Sequence, residues 1–152
     1  MSVLRSDRAW VSGQSVLMLC VVVLGVAMRG EWVSDTAFAA GAGCFVLGGV
    51  VGVWSVRSLG DNRTPNPTPK DDAVLVQSGI YRHLRHPLYS SVMLASLGWT
   101  LLWQSWVALV PALGLCVFFD AKARLEERLL TTRFPEYEEY RARTWRFVPW
   151  VY

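Results

Sequence analysis

Charge is scarce in this chain. Asp, Glu, Lys and Arg make up 18% of its 152 residues, against roughly a quarter in a soluble domain, while hydrophobic residues make up 53%. That balance argues against an ordinary water-soluble surface and for a membrane protein. Histidine is nearly absent: His83 and His86 are the 2 in the chain. Cysteine is limited to Cys20, Cys44 and Cys116, each inside an apolar run and none at metal-like spacing. They read as small buried hydrophobes, with no disulfide framework and no zinc site. The formal net charge of +3 is too small and scattered for a nucleic-acid footprint. A dinucleotide fingerprint is missing as well. Gly41-Ala42-Gly43 lacks its third glycine, Val46 standing in its place, and no strand precedes it. The length suits one compact unit and not two full domains.

What the chain has in abundance is apolar helix. Val11 to Met28 predicts a first transmembrane helix, flanked by Arg5, Arg8, Trp10 and Trp32. Ala37-Phe38-Ala39 has a signal-peptidase form but lies beyond Arg29, Glu31 and Asp35, too far downstream to follow a leader. Thr36 to Val56 predicts the second span, unbroken by charge, with Gly48 and Gly52 spaced to let another helix approach closely. Leu88 to Trp103 and Ser105 to Phe119 would make one helix of roughly 48 Å, so two short spans turning near Gln104 fit better. The last helix continues past the bilayer through Lys122 to Leu130, and Phe134-Pro135 ends it. Pro135 to Tyr140 predicts a short helix, its Tyr137-Tyr140 pair reading as packing or an interface belt.

Between the second and third spans lies a loop of about 30 residues, long enough to suggest function. Pro65, Pro67 and Pro69 exclude helix there. The loop runs through Ala73-Val74-Leu75-Val76 and a Ser78-Gly79 turn into Tyr81-Arg82-His83-Leu84-Arg85-His86-Pro87-Leu88-Tyr89. Cations and aromatics at the mouth of an apolar helix suit a charged cofactor held against a lipid-like substrate, though the same residues also serve as an interfacial anchor. Nearly all Lys and Arg outside the N-terminus fall in this loop and the C-terminal tail. Four spans with both termini in the cytoplasm satisfy that asymmetry, and they put the cluster and Glu126-Glu127 on one side.

An ordered set then emerges: Leu75-Val76, Gly79-x-Tyr81, Arg85-His86-Pro87-x-Tyr89, Glu126-Glu127, Phe134, Tyr137, Tyr140 and Arg146-Phe147-Val148-Pro149. It resembles the isoprenylcysteine carboxyl methyltransferase family, including its short bacterial members, over about Leu59 to Pro149. The resemblance implies an all-α integral-membrane enzyme without a Rossmann domain, placed in a bacterial inner membrane with its site facing the cytoplasm. Residues 1–58 would be two N-terminal spans and 59–152 the methyltransferase-like core. Its cofactor would be S-adenosyl-L-methionine, and its acceptor a lipid-like or small hydrophobic molecule, such as a prenylcysteine carboxylate, entering from the surrounding membrane lipids.

Carried over by motif, Leu75, Val76, Tyr81, Arg85, His86, Pro87, Leu88, Tyr89 and Glu126 would line the cofactor pocket. Relatives place an arginine near the acceptor, four residues before the matching glutamate. Lys122 stands there, with Arg124 close by, and these two with Glu127 form the expected catalytic group. Lysine keeps the charge but lacks the bidentate fork. The cofactor's own chemistry agrees. Glu126 or Glu127 suits its ammonium or ribose, His86 or Arg85 its carboxylate, and Tyr81 or Tyr89 its adenine or sulfonium. Other readings stay open: a phospholipid N-methyltransferase, an NADPH-dependent sterol-reductase-like oxidoreductase, or a membrane accessory protein without catalysis.

Overall fold

The computed structural model describes residues 2–151, with side chains described from residue 7 onward. Arg5, read above as a basic flank, therefore lies outside the described side chains. Five α-helices carry the chain: α1 (Ser2–Ala27), α2 (Asp35–Leu59), α3 (Pro87–Trp103), α4 (Trp106–Arg133) and α5 (Tyr137–Ala142). Short 3-10 turns at Gly60–Asn62 and Gly79–Arg82 bracket the long loop. No strand occurs among the described residues, in keeping with an all-α membrane protein without a Rossmann domain. Three helices are long and apolar enough to cross a membrane, over Asp7–Ala27, Asp35–Asn62 and Trp106–Arg133. At 17 residues, α3 is the short one, about 25 Å against a hydrocarbon core of about 30 Å. It touches each of α1, α2 and α4, so the other helices shield it.

Sequence chemistry sets the helix ends. The Ser34 and Ser105 hydroxyls cap α2 and α4, accepting from the Ala37 and Ala108 N–H groups at 3.2 Å. Pro87 opens α3, where its missing N–H costs nothing. One boundary differs from expectation. The loop was placed from Arg57, but α2 runs on to Leu59, because the first helix breaker is Gly60 at φ +54°.

α2 and α3 pack backbone to backbone. A Cβ on Gly48 would stand 2.8 Å from Ala95 N and Ser91 O, and one on Gly98 would stand 2.6 Å from Phe45 N. The close approach expected of Gly48 thus has α3 as its partner, while Gly52 meets only the Ser91 side chain. At the end of the bundle away from the long loop, Gly30 and Glu31 donate backbone N–H groups to the Trp103 and Gln104 carbonyls at 2.9 and 3.0 Å. The Glu31 carboxylate in turn accepts from Val107 N–H at 3.1 Å.

At the opposite end the loop, α5 and the tail form a polar cap. Residues 83–86 pair with the tail through Arg85 N–H to Trp145 O (2.8 Å), His86 N–H to Arg146 O (3.1 Å) and Trp145 N–H to His83 O (3.0 Å). The proline-rich loop is pinned to α1 where Thr68 donates to the buried Asp7 carboxylate at 2.9 Å. It folds back on itself where Asn62 Oδ1 accepts from Val74 N–H at 2.8 Å.

Candidate active site

The cap encloses a cleft of about 800 Å³, counting its open mouth. That is the size class of a small-molecule or cofactor site. The loop supplies Asn62, Thr64 and the run Ala73 to Val76; the 3-10 turn and start of α3 supply Tyr81, Arg85, His86, Leu88 and Tyr89; α4 supplies Glu126 and Leu130. Phe134, Tyr137 and Tyr140 close the far side. Residues far apart in sequence meet here because α4 outruns the bundle and projects its last turns beside the loop.

Glu126 is the acidic group on the wall, its Oε2 accepting from the Tyr89 phenol at 2.8 Å. His86 Nδ1 lies 3.6 Å from the same oxygen. The Tyr89 ring stacks between His86 (centroids 5.3 Å apart, 3° between planes) and Phe119 (4.6 Å, 20°). This ladder locks the carboxylate's hydrogen-bond partner in one orientation. The Tyr81 phenol is buried, and burial first, then the Glu126 carboxylate, push its pKa up, so it stays a neutral donor.

Of the residues expected at the cofactor, Leu75, Val76, Tyr81, Arg85, His86, Leu88, Tyr89 and Glu126 are brought together in this cleft. Pro87 is not: it is buried at the first position of α3. The residues expected to be catalytic lie off the cleft. Lys122 is 1% exposed behind Tyr89, its Nζ donating to Gln14 Oε1 at 2.5 Å and Pro65 O at 2.7 Å and lying 5.4 Å from the Tyr89 ring centre. Arg124 sits two residues on, about 200° round the helix, exposed and paired with Asp120 at 2.7 Å. Glu127 turns away from Glu126 by about 100° into a buried ion cluster.

In that cluster Glu127 accepts from Arg146 through both oxygens (3.1 and 2.8 Å) and from Arg85 Nε at 2.9 Å. Arg85 Nη1 also donates to the carbonyls of Thr144 and Arg141. Arg85 thus has its Nε and Nη1 engaged within the protein, and of the two glutamates Glu126 lines the cleft while Glu127 lies behind its wall. His86 Nε2 comes within 3.3 Å of Glu127 Oε1, but the direction is wrong for a hydrogen bond.

The sequence reading passed over Asn62, Thr64, Leu130 and Phe134 as lining residues, and it took Tyr137 and Tyr140 for packing. The tyrosines stood in the ordered motif set, which was the available signal; Asn62 and Thr64 carried none. The Tyr140 phenol donates to Tyr81 O at 2.7 Å and tethers α5 to the 3-10 turn. The Tyr137 phenol, 1% exposed, has no hydrogen-bond partner among the described residues.

Comparison with known proteins now decides the family, because the profile described as "Phospholipid methyltransferase" matches residues 36–137. The chain belongs to the phospholipid methyltransferase family. Among its relatives is the cobalt-zinc-cadmium resistance protein CzcN of Cupriavidus metallidurans, 33% identical over 121 residues that cover 79% of this chain and 52% of that protein. The nickel-cobalt-cadmium resistance protein NccN of Alcaligenes xylosoxydans is 25% identical over 136 residues, covering 89% of this chain and 60% of that one. Protein-S-isoprenylcysteine O-methyltransferase of Dictyostelium discoideum is 28% identical over 116 residues, covering 74% and 49%. The chain thus spans about half the length of these relatives. The isoprenylcysteine methyltransferase resemblance drawn from the sequence is supported by this family and by the Dictyostelium protein.

Proposed function

We propose that this family member is an integral-membrane methyltransferase that uses S-adenosyl-L-methionine and methylates a lipid-like acceptor at the cytoplasmic face. The observation that carries this reading is that a cofactor-sized cleft and a bilayer-level groove share one face of α3. Leu88 and Tyr89 line the cleft; Val92, Ala95, Ser96 and Trp99, one to three turns further along the same stripe, line the groove. The groove runs between α1 and α2, measures about 1240 Å³ with its open side, and ends at Val56 and Arg57, one turn before Leu59 of the cleft. A second apolar groove, along Ser90, Met93, Leu94 and Leu97, lies on the opposite face of α3 and reaches Ile80, His83 and Leu84.

The donors and acceptors in the cleft fit the cofactor: one carboxylate for an ammonium or ribose, flat aromatic and aliphatic walls for adenine, and a buried phenol without a partner. When bound, the cofactor supplies an electrophilic methyl group on a sulfonium. Charge diminishes in its transfer, so this chain's residues act by positioning and by excluding water. Glu126, fixed by Tyr89, would hold the amino-acid end, and the loop residues Leu75 and Val76 would cover the nucleoside. Lys122, expected at the acceptor, lies behind Tyr89 with its Nζ bonded to Gln14 Oε1 and Pro65 O, and so takes no direct part in this reading. The acceptor classes of this reading are a prenylcysteine and a phospholipid, the second after the family's own description.

Calorimetry and thermal shift with S-adenosylhomocysteine in detergent test the reading, because a ligand of the folded state raises the unfolding temperature. Binding is the expected result; neither heat nor shift at saturating ligand would sink it. Methyl transfer into a lipid extract, set against a prenylated cysteine, separates the acceptor classes. The proposed orientation is checked by thiol labelling: Asp72→Cys should react only from the cytoplasm and Val33→Cys only from outside.

A further inference from the structure

Among the described residues two buried side-chain atoms lack a hydrogen-bond partner, His86 Nε2 and the Tyr137 phenol, and both residues line the cleft. The histidine nitrogen at least has Glu127 3.3 Å away. The phenol has nothing, although the tyrosine is 1% exposed. A buried hydroxyl without a partner weakens a fold, and phenylalanine would give the same ring contact with Tyr140, at 5.8 Å between centroids, without that cost. The hydroxyl is therefore accounted for by a partner that arrives with a ligand.

The surroundings say what kind of partner. Burial, and after it the nearby Glu127 carboxylate, push the phenol's pKa up, so the group is a donor and needs an acceptor. The charged groups that face it are Glu127, Arg85 and Glu126. Glu127 is saturated by Arg85 and Arg146, while Arg85 commits Nε to Glu127 and Nη1 to the Thr144 and Arg141 carbonyls. A carboxylate entering here finds the Arg85 charge with Nε and Nη1 already engaged, and beside it the buried phenol as a donor without a partner. We propose that Tyr137 is a cofactor-binding residue whose hydroxyl donates a hydrogen bond to the carboxylate of the cofactor's amino-acid end, with Glu126 facing the ammonium. This rests on the methyltransferase reading above.

The test compares wild type, Tyr137→Phe and Tyr140→Phe in one detergent with two nucleosides: S-adenosylhomocysteine, and 5′-methylthioadenosine, which lacks the amino-acid end. Tyr137→Phe should leave the ligand-free melting temperature unchanged or raised, weaken S-adenosylhomocysteine roughly tenfold, and leave methylthioadenosine affinity as it was. Tyr140→Phe loses the bond to Tyr81 O and should lower the ligand-free melting temperature and weaken both nucleosides together. If Tyr137→Phe binds S-adenosylhomocysteine like wild type, or loses both nucleosides equally, the assignment is overturned while the methyltransferase reading stands. A Tyr137→Phe that does not fold also overturns it, because the hydroxyl would then have had a structural partner. Wild type binding neither nucleoside sinks the parent reading and this one together. On wild type alone, decarboxylated S-adenosylhomocysteine should bind about tenfold more weakly than the parent compound; equal binding rejects the carboxylate contact.

Discussion

In the bilayer half, α2 lies so close on α3 that Gly41, Gly48 and Gly98 face backbone atoms with no room for a Cβ. In the polar cap, ring stacks, backbone pairing and a buried ion cluster tie the loop, the short α5 and the tail to the ends of α3 and α4. Lipid gives helices no hydrophobic reason to associate, so the first region depends on shape. The cap has short pieces with little apolar area, so it depends on directed polar bonds, and those same bonds aim the cleft's side chains. The comparison explains why the candidate site sits at the cap: there the fold gathers charges and holds them in fixed positions beside a cleft.

Several substitutions break or sharpen that contrast. Removing Glu127 should do most. Glu127→Ala leaves Arg85 and Arg146 buried without their counter-charge, a loss of about 3–5 kcal/mol of stability, read as a collapsed thermal transition in detergent. A transition within a degree or two of wild type would show that the cluster contributes little. Next comes the bilayer half. Gly98→Val puts carbon against Phe45 N and Gly41 O and should cost about 1–3 kcal/mol, or more if α2 cannot shift. Unchanged melting would mean that α2 and α3 are less tightly apposed.

Glu126→Gln separates binding from stability within the cap. The amide still accepts from Tyr89, so melting should hardly move. S-adenosylhomocysteine affinity should fall by about 1.5–3 kcal/mol, tenfold to a hundredfold, and titration calorimetry reads it. Equal affinity would leave Glu126 as a wall residue only. Smallest is Arg143→Ala. Its ion pair with Glu139 is 3.6 Å long and exposed on both sides, so melting at moderate salt should shift by no more than about 0.5 kcal/mol equivalent. A larger loss would show that its bond to Gln77 anchors the loop.

Much of this was legible in the residues. Helix existence followed from apolar runs, and so did the turn near Gln104 and the stop at Phe134-Pro135, whereas the Ser34 cap and the Gly60 end of α2 were not read. The cleft's core was legible where motif order gathered it: Tyr81, His86, Tyr89 and Glu126. Asn62 was not, since its role is to accept from Val74 twelve residues on, and no local pattern records that. Arg85 looked like a free cation because its partners, Glu127 and the Thr144 carbonyl, arrive from α4 and the tail.

The sequence by itself determined a membrane-embedded helical protein, the family motif set and the gathering of its basic residues in the long loop and the C-terminal tail, since hydropathy, breakers and charge act locally. Tertiary structure alone decided which of two neighbouring glutamates faces the cleft, because a turn of about 100° per residue means nothing until the helix has neighbours. It also decided that Lys122 lies behind Tyr89 and that the Tyr137 hydroxyl is left without a partner. A side chain's availability depends on what else reaches it, and those partners come from segments that only folding brings within 3 Å or so of one another.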